Sequence, residues 1–149
     1  MRPFNLAAFA LAVSLGGTAL AADDKANAAD LKAMVGKWKI EKTILSGKDI
    51  TDVIKDAKFE IMEGGKYTLE FGPEKDAGTF TVDATKKLRE MDVKPTGGPL
   101  KGKLVKAIYK LDGDTLTMCY DHDAGDRPKA FESKEGTNLL FLVYKREKK

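Results

Sequence analysis

The chain of 149 residues has one cysteine, Cys119, and one histidine, His122. A single thiol excludes an internal disulfide and any multi-cysteine zinc or iron–sulfur centre. A single imidazole means that any Ser-His-Asp or Cys-His pair has to be built on His122. Prolines number only five, and neither they nor the 14 glycines form a stretch dense enough to mark a linker between domains. An excess of one charge is also missing. The 26 basic and 23 acidic residues alternate in sign and leave a formal net charge of +3, too weak a field for nucleic-acid binding. The longest apolar run, Phe4 to Leu15, is broken by Asn5 and Ser14 and stopped by Gly16-Gly17, short of the roughly 20 apolar residues that span a bilayer. What remains, 42% hydrophobic and 33% charged, is the balance of one soluble globular domain with an adequate core.

Met1 and Arg2 give a cationic start, the apolar run follows, and Ala19-Leu20-Ala21 is a small-x-small site with Asp23 and Asp24 just behind it. This pattern predicts a secretory signal peptide over residues 1–21. No cysteine adjoins the site, so the expected product is a secreted or periplasmic protein with no lipid anchor and no membrane span. Residues 22–30 form a short polar segment, with Ala28, Ala29 and Leu31 hinting at one helical turn. The domain proper is expected over 31–146, ahead of a basic tail at 147–149.

From Gly36 the hydrophobic period becomes two, the mark of half-buried strands. Trp38, Ile40 and Ile44 share a parity, Ser46-Gly47 ends that strand, and Ile50, Val53 and Ile54 predict a short helical turn. Phe59 and Ile61, then Glu63-Gly64-Gly65, then Tyr67, Leu69 and Phe71 read as a β-hairpin. Turns are expected at Gly72-Pro73 and Asp76-Ala77-Gly78, with further strands through Phe80 and Val82, through Met91 and Val93, and from Lys103 to Leu111. Asp112-Gly113-Asp114 is a tight turn into Thr115–Tyr120. Ala130 to Ser133 is expected as a short strand around Phe131, and the last strand as running through Leu139, Phe141 and Val143. About nine short segments with turns every 8 to 12 residues predict an all-β fold. Short hairpins favour a single up-and-down barrel of eight to nine antiparallel strands, whose closure removes exposed edges.

Candidate chemistry is thin. Cys119 and His122 lie three apart and point to opposite faces of an extended chain, so no nucleophile–base pair is expected and the protein reads as a non-enzyme without a cofactor. Asp121, Asp123 and Glu132 match the first, third and twelfth places of a calcium loop. Asp126 stands where the turn glycine belongs, however, and Pro128 intrudes, so the weak metal candidates Asp121, Asp123 and Asp126 are read as turn residues. The ligand-binding candidates are Tyr67, Tyr109, Tyr120 and Arg127. Trp38, Phe59, Phe71, Phe80, Phe131 and Phe141 join the tyrosines as barrel filling.

Gly36-Lys37-Trp38 on the first strand, with Arg146 ending the last, resembles the lipocalin-like arrangement in which a Gly-x-Trp sits under a basic side chain. Gly78-Thr79-Phe80-Thr81-Val82-Asp83, then Tyr109-Lys110-Leu111-Asp112-Gly113-Asp114, Cys119-Tyr120, Arg127-Pro128 and Phe131 are similar to a family of secreted lipocalin-like domains abundant in planctomycete bacteria. The resemblance runs from Leu31 to Arg146 and departs at Leu88, where the family often has proline. It implies the barrel, the export and a closing contact among Gly36, Trp38 and Arg146, and brings no activity or cofactor. Two roles are then expected in turn: carriage of a small apolar ligand, or a filled barrel contacting an envelope protein. A hydrolase is a distant third. A lined cavity above roughly 300 Å³ favours carriage, and solid packing favours the second.

Overall fold

A computed structural model describes the backbone of residues 17–148 and the side chains of residues 24–148. Residues 1–16 of the expected signal peptide lie outside the described residues, as do the side chains of Ala19-Leu20-Ala21 and Lys149. The helical turn anticipated near Leu31 is a longer helix, α1, Gly17–Met34. Strand β1 (Gly36–Leu45) and the two-residue β2 (Lys48–Asp49) flank Ser46-Gly47, where both residues have positive φ, the conformation that a two-residue hairpin turn needs. A single turn of helix, α2 (Thr51–Ile54), leads to β3 (Lys58–Met62), β4 (Lys66–Phe71), β5 (Glu74–Asp83), β6 (Arg89–Pro95), β7 (Val105–Asp112), β8 (Thr115–Asp121) and β9 (Leu139–Arg146). Among the described residues, β1 and β3 to β9 pair antiparallel in order and β9 returns to β1, which closes an eight-stranded barrel with β2 as an extra edge. No described helix is long and apolar enough to cross a membrane.

Three details differ from the periodicity reading. A bulge between Ile40 and Lys42 shifts the phase of β1, so Thr43 is fully buried while Ile44 turns outward to the same face as Phe141, its partner. Bulges of this kind insert one unpaired residue and reverse the inward set beyond it. In β9 the buried residues are Leu140, Leu142 and Tyr144 rather than Leu139, Phe141 and Val143. That strand is apolar at every position from 139 to 144, so alternation carries no phase. Finally, Ala130 to Ser133 is bend and coil, not strand. It belongs to a long connection over the outer face of the barrel, where Cys119 Sγ donates to the carbonyl of Glu132 at 3.4 Å.

One end of the barrel is filled and plugged. Trp38, Tyr109, Met34 and Leu116 are almost wholly buried there. Helix α1 is tied to the strands by Asn27, which accepts from the Ala84 amide at 2.8 Å, and by Asp30, which accepts from Tyr109 Oη at 2.6 Å and Arg89 Nη1 at 2.9 Å. The closing strands meet at the same end. Trp38 pairs with Arg146, whose guanidinium carbon lies 4.4 Å from the indole centroid. Arg146 donates to the carbonyls of Val35, at 2.6 Å, and Ala33, and to Asp114 Oδ1 at 3.0 Å. A cation on the last carbonyls of a helix satisfies groups that have no partner within it. Gly36, at φ +147°, leaves the room, because a Cβ there would stand 2.8 Å from Arg146 Nη1.

Truncating Trp38 to alanine should cost about 3–5 kcal/mol, and Arg146→Ala about 1–2 kcal/mol. A double-mutant cycle by urea unfolding should give a coupling of at least ~0.5 kcal/mol. Additive effects would show that the stacked geometry contributes nothing to closure.

Candidate functional site

The half of the barrel away from α1 is not filled. A partly open cavity of about 80 Å³ lies there, walled by Phe59, Ile61, Leu69, Phe80, Met91, Val93, Val105 and Met118, with Pro95 and Leu100 towards the mouth. Pro95 ends β6, and the following loop turns back through Gly102 N–H, which donates to Pro95 O at 3.1 Å, bringing Leu100 to the cavity. Phe71 at the end of β4 and Leu104 just before β7 are exposed at this end of the barrel.

Four polar-ended side chains face this apolar space: Tyr67, Tyr120, Tyr144 and Asp76. Phe59 links two of them, stacked on Tyr144 at 4.8 Å between centroids and tilted against Tyr67 at 6.1 Å. Tyr67 fits because its strand partner is Gly78, where a Cβ would stand 2.9 Å from the phenol ring and its hydroxyl. The Tyr67 hydroxyl donates to Asp76 Oδ2 at 3.4 Å, whereas Asp76 Oδ1 is buried with no hydrogen-bond partner. Burial holds the Asp76 carboxyl above its ordinary range, against the lowering pull of the Ala77 amide, the Tyr67 hydroxyl and the Gly97 amide. Burial, and then the Asp76 charge, also push Tyr120 up to about 12. Tyr67 is raised for the same two reasons, and Tyr144 by burial and then its tyrosine neighbours.

The residues named from sequence divide sharply. Tyr67 and Tyr120 line the cavity. Tyr109 does not, since it serves the α1 end through Asp30, and its hydroxyl is held far above its usual range by burial and that bond. Arg127 is also elsewhere, fastening the long outer connection to the sheet by donating to Ala107 O at 2.8 Å, Met91 O at 3.2 Å and Asp92 Oδ1 at 2.5 Å. Asp121 accepts from the Asp123 amide at 2.7 Å, closing its own turn. Among the described residues no group of three or more His, Cys, Asp or Glu side chains is arranged to hold a metal.

Asp76 and Tyr144 are the additions. Asp76 was read as part of a turn at Asp76-Ala77-Gly78. The hairpin in fact closes on Gly72-Pro73, with Phe71 opposite Glu74, so Asp76 is an inward-facing strand residue. The turn signal was real but came twice within seven residues, and only the first was used. Tyr144 lies off the parity of Leu139, Phe141 and Val143 expected to face inward in β9, and the observed phase brings it into the barrel.

Cys119 is fully buried, and burial raises its thiol against the lowering pull of the Glu132 backbone amide. His122 lies exposed in the turn after β8. No protein-family model, no curated protein and no solved structure matches the chain.

Two solution experiments follow from these environments. Folded Asp76 keeps a proton that the unfolded chain releases near pH 3.8. Its contribution to stability is therefore full below that pH and is lost as pH rises through the raised native value. The thermal stability of Asp76→Asn relative to wild type should accordingly increase between about pH 3.8 and neutrality; a difference that does not change with pH would mean that Asp76 is solvated. Cys119 should resist a water-soluble disulfide reagent in native buffer and react at once in denaturant. Equal rates in the two conditions would place the thiol at the surface.

Proposed function

We propose that the chain is an exported, non-catalytic binding protein that holds one small, mainly apolar molecule in the open half of its barrel. The observation that carries this reading is the lined, partly open cavity, whose apolar walls surround a few convergent polar groups. At about 80 Å³ it is smaller than the roughly 300 Å³ that drug-sized guests need, so the guest is a compact molecule rather than a lipid chain. Export is supported by the signal-peptide pattern of residues 1–21.

A second reading has its own observation. The filled α1 half and the exposed Phe71, Leu104 and Val53 suit a barrel whose surface meets an envelope protein.

Titration with 1-butanol, followed through the methyl signals of Val93, Leu69 and Met118, separates the two. Binding predicts saturable shifts at those three residues and the loss of those at Leu69 and Met118 in Val93→Phe, which fills the space without removing buried apolar surface. Linear, unsaturable shifts unaffected by Val93→Phe would reject carriage and leave the interaction surface as the better reading.

A further inference from the structure

Granted that the cavity binds a guest, we propose that the guest is a small organic ammonium ion, its N–H donated to the Asp76 carboxylate and its alkyl body packed among the apolar walls. Asp76 is the one charged side chain among the described lining residues. No lysine, arginine or histidine of that lining neutralises it, whereas Asp30 at the α1 end is paired with Arg89. Its Oδ1 is buried without a hydrogen bond of good geometry, although the amides of Ala77 and Gly97 pull on the carboxylate, and Oδ2 has a long bond from Tyr67. An unpaired buried acceptor is a standing penalty, and it is greater for a charged one. A guest bearing N–H groups and a positive charge removes it, supplying both the missing donor and the missing countercharge.

The surrounding chemistry selects in the same direction. Aromatic rings gather beside the carboxylate, with Tyr67 bonded to it and Phe59 touching both Tyr67 and Tyr144. Aromatic walls favour cations through the negative face of the ring. A fatty carboxylate would instead meet Asp76 as a like charge in a poorly hydrated space. The limited volume, about 80 Å³, restricts the alkyl part to a short chain. A proton competes with the ammonium for the same oxygen, so acidification should weaken ammonium binding and leave a neutral guest unaffected.

The test is calorimetric titration of the whole chain with n-butylammonium chloride, 1-butanol, n-pentane and sodium butyrate, at neutral pH and again near pH 4. The inference predicts that n-butylammonium binds one-to-one at least about tenfold tighter than 1-butanol, roughly 1.4 kcal/mol, that butyrate does not bind, and that the advantage shrinks at the lower pH. In Asp76→Asn the advantage should fall below about threefold while 1-butanol binds as before, which also shows that the variant is folded. The acid arm uses wild-type protein alone and decides the matter if that variant does not fold. If 1-butanol or n-pentane binds as tightly as n-butylammonium, the ammonium assignment is wrong and the cavity reading stands. If no probe saturates, both are wrong.

Discussion

The guanidinium of Arg146 is the point on which the architecture turns. It lies over the indole of Trp38, bonds the carbonyls that end α1, and reaches the turn at Asp114. Three stretches of chain distant in sequence are thereby held by one side chain: the junction of the helix with the first strand, the last strand, and the hairpin between β7 and β8. A lysine could not replace it, because a point charge cannot stack on a ring face and bond in several directions in its own plane at once. The geometry also dictates Gly36, whose missing side chain is the space that the guanidinium occupies. Closing the barrel there satisfies the edges of β1 and β9 together, so no long unpaired edge is left between them.

From this closure follows an asymmetry between the two ends. The plugged end uses its large side chains, Trp38, Tyr109, Met34 and Leu116, to pack solidly. The other end has none of these; α2 packs against β1, and the loop bearing Leu100 reaches the cavity. A barrel of eight strands has an interior just wide enough for side chains to fill or for one small guest. Here the first outcome applies at one end and a small space is left at the other. The polar ends of Tyr67, Tyr120 and Tyr144 and the carboxylate of Asp76 collect in that space. A second apolar face lies outside the barrel, where Ile108 and Cys119 are buried although they point away from the interior. The connection from His122 to Asn138 covers that face, with Arg127 bonding to the sheet beneath and Ser133 to Leu139 O.

The order of strands and their antiparallel pairing could be read from the chain because the hairpins are short and each turn carries its own chemistry, as at Ser46-Gly47, Glu63-Gly64-Gly65 and Asp112-Gly113-Asp114. Gly36, Trp38 and Arg146, named from the motif and the chain ends, lie together in one cluster. Inward and outward sides were legible where one face is polar, as in β5 with Phe80 and Val82, and illegible where both faces are covered, as in β9 and around Cys119. The phase of β1 was lost at a bulge that leaves no residue signature. The site was half visible: Tyr67 and Tyr120 follow from parity, but Tyr109 shares their parity and serves the opposite end. Depth along the barrel is not written in alternation. Asp76 was hidden because an aspartate before Ala-Gly looks like a turn, and only the pairing of Phe71 with Glu74 shows that the turn has already been made.

The central claim is that one barrel has a rigid, packed end and a receptive end. Native-state hydrogen exchange, resolved by residue, measures this directly through the free energy at which each segment opens. The slowest amides should lie near the plugged end, around Trp38 and Lys39, Tyr109 to Leu111 and Leu116, and should open only with global unfolding. Amides from Leu69 to Phe71 and from Thr96 to Leu104, around the cavity mouth, should open at distinctly lower free energy. Uniform protection from end to end, or slower exchange at the mouth than beside Trp38, would contradict the account.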